Sequence, residues 1–399
     1  MKIIIAGKNN IAISVTEWLI NYDKKIEVFV LFNQNDQGEN GFQRSFKKYC
    51  HEKKLQEISL NDAYRMEGAI FLSLEYDKII APEKFSHDKV FNIHFSLLPQ
   101  YKGMYTSAWP ILNGEEKSGV TLHCIDSGID TGDIIDQISF QLEENETAKS
   151  LYLKYIRFGT ELVIKNLPSL IAGNFVKSKQ SAKKSTYYSK KSINYNQLNI
   201  DYNQTAEKIL QQVRAYSFRD YQLPSVQGSM VFHGKILDKK TNEKPGRIIF
   251  EDDSQIILST IDYDLNLFKD NLEDFLNLCR EGNVKAISNH SNKMIYINEK
   301  NEQGWSPVIV AAYYGRIDMI EKLVELGANI NDTNNNGTTV AMYYKSYMSK
   351  SKDYSGFKRL FALGADLSLK DFNGLTVIDY LEKGNDRETL NFIKGYYND

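Results

Sequence analysis

The chain has 399 residues, 25% of them charged and 42% hydrophobic, and its formal net charge is −2. That length calls for two or three domains of ordinary globular composition, and the charge balance lacks the basic excess of a protein that tracks a nucleic-acid backbone. Cys50, Cys124 and Cys279 cannot build a disulfide framework and no two stand at metal-ligand spacing, and no apolar run nears the roughly 20 residues that cross a bilayer, so no metal, nucleic acid or membrane partner is expected.

The strand-like run Lys2–Ala6 follows Met1 directly, without the apolar stretch and cleavage site of a signal peptide, and a reducing cytoplasm is the expected location. The β-branched Ile3-Ile4-Ile5-Ala6 ends in Gly7-Lys8-Asn9-Asn10, and Ile11 to Tyr22 is helical in pattern. Glu27–Leu31, Gly68–Ser73 and Val90–His94 are further strand candidates. Strands interleaved with helical stretches imply βαβ units, hence an α/β fold with a Rossmann-like, mostly parallel sheet. The first turn is not G-x-G-x-x-G, so a dinucleotide fingerprint is absent. In such sheets ligands gather at the carboxyl ends of the strands, where Asn92 and His94 fall.

Beyond residue 180 the texture changes. Lys179 to Lys191 is polar, with Ser and Lys clusters, as in a linker or exposed hairpin. Asp201 to Ala215 reads as one helix, followed by short strands at Tyr221–Pro224, Ser229–Phe232 and Arg247–Phe250. The last third repeats itself. Gly304 (Gly-Trp-Ser-Pro), Gly337 (Gly-Thr-Thr-Val) and Gly374 (Gly-Leu-Thr-Val) are 33 and 37 residues apart, with Leu326-Gly327-Ala328 and Leu363-Gly364-Ala365 in phase. Each turn Gly permits a tight approach to a helix, and the Leu-Gly-Ala step closes the next one. A lone helix pair cannot bury its apolar face, so the units stack. This pattern resembles the ankyrin repeat, stretched by an insertion around Ser349 to Tyr354.

The chemistry concentrates between Phe91 and Ile134. Phe91-Asn92-Ile93-His94-Phe95-Ser96-Leu97-Leu98-Pro99 is followed by Tyr101-Lys102-Gly103, then Gly119-Val120-Thr121-Leu122-His123, then Gly128-Ile129-Asp130-Thr131-Gly132-Asp133-Ile134. In a strand, residues i and i+2 share a face, so Asn92 and His94 would look into one cleft. Alone that pair is a weak signal. The whole string, in this order and spacing, resembles the formyltransferase family that uses N10-formyltetrahydrofolate, over residues 1 to about 180. The departures are Lys102, where Arg is frequent, and Met104-Tyr105-Thr106-Ser107, where a Pro is common.

The resemblance implies a catalytic trio of Asn92, His94 and Asp130. The types suit formyl transfer to an amine. Asn92 can donate to the tetrahedral oxyanion, His94 can take the proton of the amine or polarise the carbonyl with Asn92, and Asp130 can orient the imidazole. The folate co-substrate is expected against backbone of Lys78, Ile79 and Ile80, and of Ile125 and Ser127. Accessory sequence after the core, including Val213–Phe218 and Tyr221–Pro224, together with the repeats, resembles sugar-nucleotide N-formyltransferases and implies a dTDP-linked amine, best dTDP-3-amino-3,6-dideoxyglucose, in O-antigen assembly. Lys8, Lys102, Arg214 and Tyr221 are the expected contacts to that sugar nucleotide, Arg214 pairing with its pyrophosphate. The domain plan is a formyltransferase core at 1–182, an accessory helix and β region for substrate binding and dimerisation at 183–262, and an all-α ankyrin domain at 263–399.

A homodimer is expected, paired through the Tyr-rich segment Lys183–Tyr195. Trp305 occupies a turn position that is normally exposed, with Tyr313 and Tyr314 downstream. It is read as a stacking platform for a second nucleotide, with protein docking as the competing use. Two rival functions share these residues: a hydrolase releasing formate from the same folate, which would turn over without an amine, and an interaction protein with a relic core, which would not turn over at all.

Overall fold

A computed structural model describes residues 1–290 and 292–397. It divides into one unit of Met1–Glu39 with Arg44–Asp270 and another of Asn40–Gln43 with Asn271–Asp399. Along the first unit run β1 (Lys2–Gly7), β2 (Glu27–Phe32), β3 (Gln56–Glu57), β4 (Ile70–Leu74), β5 (Val90–His94), the two-residue β6 (Lys102–Gly103), β7 (Lys117–Cys124) and β8 (Ile134–Gln141). Seven of these form one sheet in the order β3-β2-β1-β4-β5-β7-β8. The strands from β3 to β5 pair in parallel, and β7 and β8 add antiparallel. The strand order reverses between β1 and β4.

The run Ile3-Ile4-Ile5-Ala6 makes β1 a central strand because both of its faces are apolar. Ile3 and Ile5 join a core with Ile11, Val15 and Leu19 of the helix Asn9–Tyr22 and with Tyr155, Leu162 and Val163 of the helix Ala148–Ala172. Ile4 and Ala6 face the opposite layer, with Phe29, Leu31, Phe71 and Val90. The alternation follows from the two-residue period of a strand. The long helix Ala148–Ala172 starts where Thr147 accepts from the Ser150 N–H, and stops at Gly173, whose φ is 72°.

The accessory part contains the two-residue β9 (Tyr187–Tyr188), then β10 (Ser225–Val226), β11 (Ser229–Ile236), β12 (Ile248–Glu251), β13 (Gln255–Leu258) and β14 (Leu265–Lys269). The last five form a sheet in the order β10-β11-β14-β13-β12. Ile209, Leu210 and Val213 of the helix Ala206–Tyr216 pack on Val231, Ile256, Leu258, Leu265 and Leu267. The sheet therefore runs past the boundary expected at 263, because Leu265 and Leu267 complete its apolar face. Tyr221–Pro224 is not a strand. It is a turn closed by the Phe218 N–H on the Gln222 carbonyl. Within Lys183–Tyr195, β9 pairs along one edge, in parallel, with β6 of its own chain.

In the second unit the helices Pro307–Tyr313 and Ile317–Glu325 are followed by Val340–Ser351 and Phe357–Ala362, then Val377–Lys383 and Arg387–Tyr397. Gly304, Gly337 and Gly374 share φ of 77°, 75° and 76°, the left-handed conformation that makes glycine the turn residue in each unit. The insertion after Tyr347 lengthens Val340–Ser351 to 12 residues, against 7 for Pro307–Tyr313. No helix among the described residues is long and apolar enough to cross a membrane.

Candidate active site

Asn92 and His94 sit on β5 with its pleat aiming both the same way. In the antiparallel pairing with β7, Asn92 lies opposite His123 and His94 opposite Thr121. Asp130 arrives on the loop between β7 and β8, in a left-handed conformation with φ of 55°. The Gln180 amide fixes that loop by donating to the carbonyls of Asp130 and Gly132, both at 2.8 Å. The three expected catalytic residues are thereby brought together.

His94 is 7% exposed, and each of its ring nitrogens faces an acceptor. Nε2 is 2.8 Å from the Tyr101 carbonyl, and Nδ1 is 3.4 Å from Asp130 Oδ1. A carbonyl can only accept, so Nε2 carries the proton and Nδ1 is the basic nitrogen in the neutral ring. Burial pushes the His94 imidazole down from its ordinary value, against the opposing pull of Asp130 and the Tyr101 carbonyl. Burial alone would raise the Asp130 carboxyl. The neighbouring imidazoles of His94 and His123, the latter with Nε2 3.7 Å from Oδ1, and the Gly103 N–H, 2.9 Å from Oδ2, prevail and hold it well below the usual carboxylate range. The site at neutral pH is thus a neutral imidazole beside a carboxylate.

His123 closes the Gly119-Val120-Thr121-Leu122-His123 motif, which by itself implies no role for it. It is 2% exposed, and its Nδ1 donates to the Cys124 carbonyl at 2.7 Å. Its Nε2 is then an acceptor, and the Asn92 amide donates to it at 3.1 Å. One N–H of Asn92 is held this way, which leaves the second as a donor for a ligand. His123 could be found only through the strand register that sets it opposite Asn92. The contributions of the Tyr101 carbonyl and the Gly103 N–H are backbone groups and leave no side-chain signature.

The other expected residues fall out unevenly. Ile79 is 84% exposed on the loop after β4, Lys78 is also exposed, and Ile80 is buried. Ser127 is exposed, whereas the Ile125 N–H is taken up by the Val90 carbonyl at 2.8 Å. Only the carbonyl side of Ile125 is left for a ligand. Lys8 directly precedes the helix Asn9–Tyr22 and offsets part of the burial-driven rise of the Glu75 carboxyl. Glu75 also accepts from Tyr152 and Asn9. Tyr221, 63% exposed, sets its ring 4.8 Å from that of Phe218 at a tilt of 46°, and Phe218 in turn meets Tyr152. Lys102 lies in β6, close enough for its charge to press on His94.

Two expectations are corrected. Arg214 is 8% exposed; it donates to the Glu144 carbonyl and pairs with Glu207 at 2.9 Å. It lines a cavity of about 400 Å³ with Glu115, Glu116, Glu143, Glu146 and Glu207, whose charges repel a pyrophosphate. Trp305 is half-buried rather than exposed, with its ring 5.0 Å from Tyr313 and 5.2 Å from Tyr343.

An amide, a neutral imidazole and a carboxylate meet at the carboxyl end of a mostly parallel sheet, an arrangement whose chemistry suits group transfer without a covalent nucleophile. The formyl transferase family matches residues 19–167, and the ankyrin repeat matches residues 303–335. The N-formyltransferase of Helicobacter canadensis, solved with folinic acid and dTDP-3-aminofucose, is 40% identical and covers 68% of this chain and 100% of its own, with a TM-score of 0.63. A sugar 3N-formyl transferase solved with dTDP and 5-N-formyl-THF is also 40% identical, covering 68% of this chain and 98% of its own, with a TM-score of 0.63. The methionyl-tRNA formyltransferase of Clostridium tetani is 29% identical over 62% of this chain and 84% of its own. The chain belongs to the formyltransferase family: it is an N-formyltransferase with an ankyrin-repeat region.

Proposed function

We propose that the enzyme transfers the formyl group of N10-formyltetrahydrofolate to the 3-amino group of a dTDP-linked amino-dideoxy sugar, best dTDP-3-amino-3,6-dideoxyglucose, for O-antigen assembly. The observation that carries this reading is the assembled Asn92, His94 and Asp130 site, with His94 Nδ1 3.4 Å from Asp130. The sugar and the position of its amine are supported by likeness to enzymes solved with dTDP or dTDP-3-aminofucose. In this reading the enzyme works as a cytoplasmic homodimer.

The free amine attacks the formyl carbon, forming the new C–N bond and a tetrahedral oxyanion. The N–H of Asn92 not spent on His123 donates to that oxygen, a donor of the kind that supplies about 2.7–4 kcal/mol. The amine proton passes to His94 Nδ1. The resulting imidazolium has the Tyr101 carbonyl beside one nitrogen and the Asp130 carboxylate beside the other, so both of its N–H groups face an acceptor. Collapse of the intermediate breaks the bond to N10, the proton follows the departing nitrogen, and tetrahydrofolate and a formamido sugar result.

The test is folate turnover with a panel of dTDP-3-amino, dTDP-4-amino and UDP-amino sugars and with methionyl-tRNA, the last because methionyl-tRNA formyltransferases are also similar. Turnover that depends on a dTDP-3-amino sugar is expected. Turnover on tRNA alone, or at one rate with and without any amine, would overturn the reading.

A further inference from the structure

We infer that the segment Thr186–Tyr188 positions the catalytic pair, acting through the backbone of Tyr101–Gly103. The inference rests on the catalytic reading of His94 and Asp130. The segment lies outside residues 19–167, the stretch that matches the family.

Tyr101 offers the carbonyl that fixes His94 Nε2, and Gly103 offers the N–H that fixes Asp130 Oδ2. One short loop therefore sets the ring orientation of the base and the place of its carboxylate. That loop is not a relaxed conformation. Tyr101 has φ of 58° and Gly103 of 90°, and a non-glycine residue in the left-handed region persists only where its surroundings impose it.

The surroundings that impose it are Thr186–Tyr188. The Lys102 N–H donates to the Thr186 carbonyl at 3.0 Å, and the Met104 N–H to the Tyr188 carbonyl at 2.8 Å. The Thr186 N–H returns a bond to the Pro99 carbonyl at 3.2 Å. Thr186 Oγ1 accepts from the Tyr101 N–H at 2.7 Å, at the residue whose carbonyl holds His94. Tyr188 stacks on Trp109 at 3.9 Å and on Tyr101 at 5.9 Å. The fit is close enough that a Cβ on Gly103 would lie 2.2 Å from the Tyr188 carbonyl oxygen.

A catalytic base misplaced by about 1 Å can cost on the order of 100-fold in rate. Thr186 and Tyr188 touch neither reacting atom in this argument, so they are positioning residues. Thr186→Val keeps the shape and removes the acceptor from the Tyr101 N–H, while Thr186→Ser restores it. Full-length enzyme with formyltetrahydrofolate and its best amine should show a kcat lowered about 10- to 100-fold by Thr186→Val, with KM values little changed. Thr186→Ser should recover most of that loss. Nitrogen-15 NMR of the His94 ring supplies a readout that does not depend on which amine is accepted. Wild type and Thr186→Ser should show the Nε2–H tautomer, and Thr186→Val a mixed population. A wild-type kcat and an unchanged His94 tautomer in Thr186→Val would overturn the proposal, as would a loss of kcat that Thr186→Ser fails to recover.

Discussion

Each ring nitrogen of His94 faces an acceptor, so the neutral ring always leaves one acceptor unmatched and the imidazolium leaves none. Burial keeps the ring neutral at rest. The sign for activity follows: with the His94 pKa below its ordinary value of about 6.5, protonation of the base costs activity only on the acid side of that value. The amine titrates higher, at about 7.7–8.0 if it resembles an α-amino group, and it attacks only when free. The profile of kcat/KM should therefore rise through pH 7 to 8 and level off. A flat profile from pH 6 to 9 with chemistry rate-limiting would exclude this mechanism. Asn92→Ala, His94→Asn and Asp130→Ala should each lower kcat about 100-fold or more while circular dichroism shows the fold intact. His123 acts one step back, holding Asn92. His123→Phe should lower kcat about 10-fold with KM nearly constant, and His123→Gln, whose amide oxygen can accept, should lose less. Equal losses in the two variants would remove His123 from the site.

At the level of elements, what could be read in advance was whatever has a period. Ile3 and Ile5 against Ile4 and Ala6 announce a strand buried on both faces, and the three turn glycines announce the repeat. Asn92, His94 and Asp130, the expected catalytic trio, could be read as neighbours because their motif string is local. Contacts without period stayed hidden. β6 and β9 are two residues each, and the hydrogen bond from Tyr101 to Thr186 spans 85 residues, so the contact between these segments has no local signature. Arg214 misled for a related reason: one of its partners is a backbone carbonyl, at Glu144, which no sequence pattern reveals. Its corrected role carries a prediction. Arg214→Ala should destabilise the enzyme by about 3 kcal/mol, at the low end for breaking a buried pair because Glu207 is half-exposed. The KM for the sugar nucleotide should stay within about two-fold of wild type. A large rise in that KM with little change in melting temperature would return Arg214 to the substrate site.

At the scale of the whole molecule, the enzyme carries a repeat region with no part in the chemistry derived above. Protein docking is one use for such a region. We propose instead that it takes a second sugar nucleotide, because Trp305, Tyr313 and Tyr343 form an aromatic group and Tyr313 keeps a ring accessible to a base. Lys350 over the Tyr313 ring adds a cation within reach of an anionic ligand. Trp305 is half-buried, and truncating a packed Trp costs about 3–5 kcal/mol, so Trp305→Ala tests folding along with binding. Tyr313→Ala, at a partly exposed ring, is the cleaner variant. Calorimetric titration with the accepted sugar nucleotide should give two molecules per chain in wild type and one in Tyr313→Ala. The substrate-saturation curve should change shape between them if the second molecule acts on the first site. One nucleotide per chain in both proteins, with superimposable saturation curves, would mean that the aromatic group serves only to pack the repeats.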